Sequence, residues 1–295
     1  NRVKYFEQVR AEATAGGVDA ASLYDSPGDD EFLATPTAAV LSNTTYQGAY
    51  GSGFRNEVVY FEDVCARATA GGSDEATFYD SSGDDQFVAT PTYAGLSNPT
   101  YQEAYTHGFN NRAMGFEETN ADADAGGFDV AKLYDSPDND IFFADPDEAA
   151  LSRSGEYRNR TKSFENVHAF ATAGGQDTAY LTGSSADDTF YADGIQSVLW
   201  RPGVFYNRAK FFEVVEAEAA GGENDRAVLH DSALDDLLEG GGYSAGLTRE
   251  SGSGPNTWVW GFDYVRAIAT TGVNTRRITL PLDYALEFEG VWQDG

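Results

Sequence analysis

Residues 15–36 read AGGVDAASLYDSPGDDEFLATP, and nearly the same block returns as AGGSDEATFYDSSGDDQFVATP at 70–91 and as AGGFDVAKLYDSPDNDIFFADP at 125–146. A second motif, Phe-Glu/Asp-x-Val-x-Ala-x-Ala, precedes each block. Its phenylalanine recurs with spacings of 55, 55, 48, 48 and 50 residues, at Phe6, Phe61, Phe116, Phe164, Phe212 and Phe262. A fixed period of this length is the sequence signature of a repeat architecture, so six copies of one unit cover the chain.

Two alanines of the second motif are the same in every copy, whereas the residue between them varies. The first is Ala11, Ala66, Ala121, Ala169, Ala217 and Ala267, and the second is Ala13, Ala68, Ala123, Ala171, Ala219 and Ala269. An invariant residue that alternates with a variable one is typical of a half-buried strand whose invariant side faces inward. Short strands of this kind, separated by Gly, Asp, Pro and Ser turns at a fixed period, predict a β-solenoid.

We predict an all-β fold, a right-handed parallel β-solenoid or β-helix of six tandem repeats, in which each copy forms one wide coil or two narrow ones. The alternative is a six-bladed β-propeller with one copy per blade. Residues 1–295 are expected to form a single repeat domain, divided at about 1–55, 56–110, 111–158, 159–206, 207–256 and 257–295. The last copy is degenerate, which predicts a cap. The chain begins in phase at Asn1-Arg2, which predicts an uncapped coil cut from a longer array.

The composition is strongly acidic. Asp and Glu number 48 against 19 Lys and Arg, which gives a net charge of −29. Such a surface repels phosphate groups, so we expect neither nucleic acid nor an anionic membrane as a partner. No apolar run approaches the roughly 18 residues of a membrane span, so no membrane insertion is expected. Cys65 is the one cysteine, and an intrachain disulfide is therefore excluded.

Aspartates recur at three positions of the block, which we number as columns. Column I contains Asp19, Asp74, Asp129, Asp177 and Asp225; column II, eleven residues further on, contains Asp30, Asp85, Asp140, Asp188 and Asp236; column III contains Asp25, Asp80, Asp135 and Asp231. Identical carboxylates stacked about 5 Å apart repel by about 1 kcal/mol or more per pair. Two arrangements would offset this repulsion. Columns I and II could bind Ca²⁺, a hard cation that takes carboxylate oxygens, or each Asp could accept backbone N–H groups of its own turn.

The segments AGGVDAASLY and SPGDDEFLA resemble the RTX calcium-binding nonapeptide repeat, Gly-Gly-x-Gly-x-Asp-x-apolar-x. The spacing between aspartates is eleven residues here, and the first turn lacks the second glycine of that motif. The whole unit is similar to the long-period acidic Gly/Asp repeats of very large secreted bacterial surface proteins. This resemblance implies an extracellular or cell-surface location and a non-catalytic structure supported by calcium.

Two further features could bind ligands. Copies one and two carry an insertion at 44–54 and 99–109, which places Tyr46, Tyr50 and Phe54, and Tyr101, Tyr105 and Phe109, in equivalent positions. Exposed rings would stack on sugars or contact a protein, whereas rings folded back would extend the core. An arginine column (Arg2, Arg112, Arg160 and Arg208) precedes Glu7, Glu117, Glu165 and Glu213 by five residues. It predicts Arg–Glu ion pairs, with recognition of an acidic sugar as the alternative.

The residues that interrupt the repeat form no enzyme motif. Cys65, His107, His168 and His230 are singletons, and Cys65 and His168 share a variable column predicted to face solvent. We therefore favour a non-catalytic structural or adhesive solenoid segment, stabilised by calcium and associating end to end with itself or with neighbouring repeats of a longer chain. The alternative is a carbohydrate-active β-helix, a lyase or hydrolase, that binds or cleaves an extracellular polysaccharide.

Overall fold

The fold is described from a computed structural model, which covers residues 6–48, 51–103, 105–249 and 256–295. The side chains of residues 46–48, 51 and 52 are outside this description. The described residues form strands, turns and bends, and none of them is helical. The described residues therefore include no helix that could cross a membrane. The prediction of an all-β fold is confirmed.

Each of the first three copies contains five strands. Copy one contains β1 (Gln8–Glu12), β2 (Ala20–Tyr24), β3 (Glu31–Ala34), β4 (Ala38–Gly48) and β5 (Gly51–Val59). Copy two contains β6 (Asp63–Arg67), β7 (Glu75–Tyr79), β8 (Gln86–Thr90), β9 (Tyr93–Glu103) and β10 (Thr106–Met114). Copy three contains β11 (Glu118–Asp122), β12 (Val130–Tyr134), β13 (Ile141–Ala144), β14 (Glu148–Arg153) and β15 (Tyr157–Lys162).

The pattern continues through copy five, and the last copy is shorter. Copy four contains β16 (Asn166–Phe170), β17 (Thr178–Thr182), β18 (Thr189–Ala192), β19 (Gln196–Arg201) and β20 (Phe205–Lys210). Copy five contains β21 (Val214–Glu218), β22 (Arg226–His230), β23 (Asp236–Gly242), β24 (Ser244–Arg249) and β25 (Asn256–Trp260). Copy six contains β26 (Tyr264–Ile268), β27 (Asn274–Leu282), β28 (Ala285–Glu289) and β29 (Trp292–Asp294).

Two sheets, A and B, share these strands, and the chain changes sheet at each of the first three strands of a copy. In copy one, β1 lies in sheet A, β2 in sheet B and β3 in sheet A. The starts of β2 and β3 are eleven residues apart, the same spacing that separates columns I and II. Each such step therefore consists of one short strand and the connecting turn that leads to the other sheet. Two steps make one narrow, two-sheet coil.

The fourth and fifth strands of a copy form an antiparallel hairpin that stays in the sheet of the third strand. β3, β4 and β5 pair in this way in sheet A, and β8, β9 and β10 pair in sheet B. Because the number of strands is odd, copy two begins in sheet B where copy one began in sheet A. A copy is thus one and a half narrow coils plus a hairpin, which differs from both coil counts expected from the sequence.

The chain forms two compact units. Unit 1 is Asn1–Leu133 with Ser152–Phe164, and unit 2 is Tyr134–Leu151 with Glu165–Gly295. In unit 1 the strand orders are β1-β5-β4-β3-β7-β11-β15 in sheet A and β2-β6-β10-β9-β8-β12 in sheet B. In unit 2 they are β13-β17-β21-β25-β24-β23-β27-β29 and β16-β20-β19-β18-β22-β26-β28. Strands of successive copies pair in parallel, as β3 with β7 and β17 with β21, so the prediction of a β-solenoid is confirmed.

Alanines and phenylalanines fill the space between the sheets. The first alanine of the motif is fully buried in copies two to six: Ala66, Ala121, Ala169, Ala217 and Ala267. Phenylalanines pack beside these small residues, and in unit 1 the rings of Phe32 and Phe78 meet edge to face at 5.9 Å. The prediction that Cys65 lies at the surface is wrong. Its side chain is 3% exposed, because β6 lies between β2 and β10 and Arg112 of β10 is its neighbour in register.

Candidate metal centre

Columns I and II lie where strands begin, and they connect different copies. Asp30 precedes β3, and Asp74 precedes β7, its parallel neighbour. The backbone N–H of Asp30 donates to Asp74 Oδ1 at 2.8 Å, and the backbone N–H of Asp74 donates to Glu117 Oε2 at 2.8 Å. A row of three carboxylates therefore runs along the starts of β3, β7 and β11.

The same link joins column II to column I of the following copy along the chain. The backbone N–H groups of Asp85, Asp140 and Asp188 donate to the carboxylates of Asp129, Asp177 and Asp225 at 2.7–2.8 Å. In copy six an amide takes the same place, because Asp236 N–H donates to Asn274 Oδ1 at 3.3 Å. Members of one column precede strands of alternate sheets. The stacking of identical aspartates expected from the sequence is therefore wrong.

Column II also caps its own turn, as the hydrogen-bonding alternative predicts. Asp85 Oδ2 accepts the backbone N–H of Ser81 at 3.1 Å and the Ser81 hydroxyl at 2.7 Å. Ser26, Ser136, Ser184 and Ser232 occupy the equivalent position and make the equivalent bonds. Sequence reasoning missed this serine, although its recurrence four residues before column II was a readable signal.

Column III and a fourth acidic column cap the Gly-Gly turn of the next copy. Asp80 accepts the backbone N–H of Ala125 at 3.0 Å, and Asp84 accepts that of Phe128 at 2.9 Å. The fourth column, which the sequence analysis missed, is Asp29, Asp84, Asn139, Asp187 and Asp235. The turns of the solenoid are thus held by carboxylates and, at Asn139, by an amide oxygen, mostly across copies rather than within one turn.

Burial makes three column I carboxylates, those of Asp74, Asp177 and Asp225, weak acids with a raised pKa. It raises the pKa of Asp74 to about 6, with repulsion from Glu117 and Asp30 adding to the effect. Burial likewise raises the pKa of Asp177 to about 7, again with repulsion from its row neighbours. Desolvation disfavours the charged form of a carboxylate unless a positive charge compensates it. These sites therefore favour a proton or a cation.

One group of three carboxylates converges. Asp80, Asp85 and Asp129 each place a carboxylate oxygen within 4.8 Å of the other two, and all three residues are buried. Within the described ranges it is the one group of three His, Cys, Asp or Glu residues with this geometry. Asp85 Oδ1 is buried without a hydrogen-bond partner there. Buried carboxylates with an unsatisfied oxygen suit a hard divalent cation, so this group could hold a metal ion.

Ten aspartates of columns I and II were predicted to bind metal, and the structure brings two of them, Asp85 and Asp129, into this group. The third member, Asp80, belongs to column III and was not predicted as a ligand. The base of the long hairpin of copy two lies against the group, because Asn98 Nδ2 donates to Ser81 Oγ at 3.1 Å. Burial raises the pKa of Asp85, and hydrogen bonding by Ser81 and, less strongly, by Asn98 opposes this effect.

The aromatic insertions are the ends of the long hairpins β4–β5 and β9–β10. The side chains of Tyr46 and Tyr50 lie outside the described residues, and Phe54 is half-buried. In copy two the ring of Tyr101 meets that of Phe109 at 5.7 Å, and Phe109 is buried. Tyr105 is 48% exposed and lies 5.1 Å from the ring of Tyr60. Among the described rings, Tyr101 thus packs on Phe109 and Tyr105 on Tyr60. The predicted ligand role of the six residues stays a prediction.

The arginine column pairs differently from the expectation. Arg112 binds Asp63, and Arg160 lies 3.9 Å from Asp122. The glutamates predicted as partners have other contacts, since Glu117 and Glu213 accept backbone N–H groups of column I. Arg208 lies over the ring of Phe170 at 5.5 Å. Arg2 lies outside the described residues.

Comparison of the chain with protein-family models, with curated proteins and with solved structures finds no match.

Proposed function

We propose that this chain is a non-catalytic structural or adhesive segment of an extracellular or cell-surface protein, and that Ca²⁺ bound by Asp80, Asp85 and Asp129 stabilises its solenoid. The observation that carries the calcium part is the convergence of these three buried carboxylates within 4.8 Å. The location is supported by the resemblance of the repeat to RTX-like and long-period secreted repeats.

A cation at this point would connect copies two and three. Asp80 and Asp85 flank one turn of copy two, and Asp129, which accepts the backbone N–H of Asp85, precedes β12 of copy three. Burial raises the pKa of Asp80 to about 6, so the site carries part of a proton near neutral pH. Calcium takes six to eight oxygen ligands, so water and turn carbonyls would complete its shell. Binding would release protons and would remove the cost of burying several negative charges.

Thermal unfolding with and without calcium tests this proposal. Unfolding is measured first in EGTA and then in CaCl₂ at about ten times the Kd. At that calcium concentration, a single site stabilises the folded chain by about 1.4 kcal/mol. We expect the Tm to rise with CaCl₂, and Asp80→Asn to abolish the rise. Asp25→Asn is the matched control, because Asp25 is the same column in copy one and caps Thr69 and Ala70 N–H groups. A wild-type Tm that ignores calcium, or an Asp80→Asn variant that responds fully, would refute the calcium proposal.

The proposal includes end-to-end self-association through copy one. Phe6 is 63% exposed, whereas its counterparts Phe116 and Phe262 are each 3% exposed. Ala11 is also exposed, while the equivalent alanines are buried. Copy one therefore presents an apolar surface that another copy covers elsewhere in the solenoid. Sedimentation velocity should show concentration-dependent association that Phe6→Gln removes and that Phe128→Gln, at an exposed turn, leaves intact. A monomer at every concentration would contradict self-association.

A further inference from the structure

We propose that the outer face of sheet B in unit 2 binds an acidic polysaccharide, a chain of sugars that carry carboxylate or sulfate groups. The outward side chains of β16, β18, β19, β20, β22 and β26 form this face, which we call the cationic face. This proposal is independent of the calcium site, because the residues that carry it lie in unit 2 and the three carboxylates lie in unit 1.

Three cations of the cationic face have no carboxylate within 4.0 Å in the described part of the chain: Arg208, Lys210 and Arg226. Each lies over an aromatic ring instead, Arg208 over Phe170 at 5.5 Å, Lys210 over Phe211 at 4.7 Å and Arg226 over Tyr264 at 5.9 Å. Acidic residues outnumber basic ones by 48 to 19, so a cation that lacks an acidic partner runs against the composition. Three of them on one face indicate that this face meets negative charge from another molecule.

The strand register arranges these cations and rings in two adjacent rows. One row runs Arg208, Val198, Tyr191, Val228 and Arg266 across β20, β19, β18, β22 and β26. The next runs Tyr206, Trp200, Thr189, Arg226 and Tyr264 across the same strands. Neighbouring strands lie about 4.8 Å apart, so Arg208 and Arg226 are separated by about 14 Å across the sheet. Aromatic and apolar side chains fill the distance between them.

A groove of about 730 Å³ lies at the β22–β26 side of this face, lined by Arg226, Arg266, Tyr264, Asn224, Thr189, Val228 and Asp263. Asp263 is the one carboxylate among them, and it accepts the backbone N–H of Asp225 at 2.9 Å. The guanidinium of Arg226 is exposed and Tyr264 is half-buried beside it. A guanidinium binds carboxylate or sulfate in two-point geometry, and an aromatic ring packs on the apolar face of a pyranose. Amide and hydroxyl groups are suited to the sugar hydroxyls. These side chains together fit a sugar that carries an anionic group.

The spacing of the cations favours a glycan over nucleic acid. Double-stranded DNA presents a charge about every 1.7 Å along its axis and needs a continuous basic strip. On the cationic face the unpaired cations are separated by rings and aliphatic side chains. A polysaccharide with an occasional charge and apolar sugar faces between charges matches that pattern. The net charge of −29 repels any polyanion at long range, and salt screens this repulsion as well as the local attraction. We therefore expect only a weak dependence of the affinity on salt.

The test is a titration of the full chain with polygalacturonate and dextran sulfate, with neutral dextran as the uncharged probe. EGTA is present throughout, so that calcium cannot bridge carboxylates. We expect binding to an acidic glycan, and a loss of at least tenfold in affinity in the double variant Arg208→Gln/Arg226→Gln. The double variant Arg55→Gln/Arg158→Gln is the control with the same change in charge, because Arg55 and Arg158 form ion pairs with Glu57 and Glu118 in unit 1. Its affinity should stay within twofold of wild type.

Circular dichroism and the Tm of each variant confirm that it is folded. The proposal is overturned if neither acidic glycan binds, if neutral dextran binds equally well, or if both double variants lose affinity alike. It is also overturned if the glycans do not bind and Arg208→Gln/Arg226→Gln abolishes self-association. The cationic face would then be a contact between copies of this chain. A salt dependence of a thousandfold between 50 and 200 mM would indicate the phosphate-type binding that we exclude.

Discussion

Substitution of Asp177 by asparagine should stabilise the chain at pH 8. Asp177 is 1% exposed, and its Oδ1 accepts the backbone N–H of Asp140 at 2.8 Å. An asparagine oxygen can accept the same bond without a charge, and Asn274 takes this place in copy six, where it accepts the N–H of Asp236. Asp177→Asn therefore keeps the bond between copies and removes the buried carboxylate.

The pKa of Asp177 determines the size and the sign of the effect. Burial raises this pKa from 3.8 to about 7, so the folded chain holds a proton that the unfolded chain has released. Stability from the group is complete below the unfolded pKa and is lost as the pH rises toward 7. A difference of about 3 pKa units corresponds to a cost of about 4 kcal/mol at pH 8, which falls to about 1.5 kcal/mol at pH 5. Wild type should thus gain about 2–3 kcal/mol from this group between pH 8 and pH 5.

Urea unfolding in EGTA, followed by tryptophan fluorescence, measures the free energy of unfolding at pH 8 and its change between pH 8 and pH 5. All four tryptophans of the chain lie in unit 2 with Asp177, so the signal reports on the relevant unit. We expect Asp177→Asn to be more stable than wild type by about 2–4 kcal/mol at pH 8 and by less at pH 5.

Asp187→Asn is the control with the opposite sign. Hydrogen bonds from the backbone of Glu223 and the side chain of Asn224 lower the pKa of Asp187. Its contribution to stability is present above the unfolded pKa and is lost as the pH falls through the folded pKa. An Asp177→Asn variant that is less stable than wild type at pH 8, or a difference that does not change with pH, would refute the reasoning.

Three further substitutions test the turns by urea unfolding. Gly127→Ala should lower the free energy of unfolding by about 2–4 kcal/mol, because its Cβ would lie 2.3 Å from the Gly83 carbonyl oxygen at a positive φ. Gly126→Ala, with open space around its Cβ, should cost only the backbone strain of about 1–2 kcal/mol. Equal losses of stability in the two variants would contradict the close approach of Gly127 to Gly83. Phe211→Gly should raise stability by about 1 kcal/mol, because Phe211 holds φ at 70° where copies three and six have Gly115 and Gly261. A loss of stability would show that its contact with Lys210 outweighs the strain.

The repeat predicted the fold class because two independent signals agreed. The invariant alanines indicated strands with one face buried, and the Gly-Gly and Gly-Asp-Asp turns separated them at eleven residues. The hairpin was not predicted, because the residues between Pro36 and Phe61 were counted as part of a coil rather than as two strands in one sheet. In sequence, these residues are distinguished only by following the Thr-Pro turn. Antiparallel and parallel strands share the same period-two pattern, so the pattern does not tell a hairpin from a coil.

The site was predicted in part, and the missing part depends on which copies become neighbours. Alignment of the copies places Asp30 beside Asp85, whereas the fold places Asp30 beside Asp74. That pairing follows from the change of sheet between copies, which no single column reveals.

The second glycine of the Gly-Gly turn shows how contacts between copies determine which residue a position accepts. Copy six has Thr271 in place of the first glycine but keeps Gly272, whose Cβ would lie 2.2 Å from the Leu234 carbonyl oxygen.

The odd number of strands per copy explains why the aspartates of this repetitive chain form short rows. Because successive copies begin in opposite sheets, members of one column precede strands of alternate sheets and do not form a continuous ladder. Each acidic row is short and mixes residues from different copies, as Asp30, Asp74 and Glu117 do. Backbone N–H groups then satisfy most carboxylates within their own row. One oxygen of Asp85 and one of Asp188 are buried without a donor, and within the described residues only Asp85 lies in a group of three converging carboxylates. A single calcium site at Asp85 is therefore compatible with an acidic repeat that otherwise stabilises itself through hydrogen bonds.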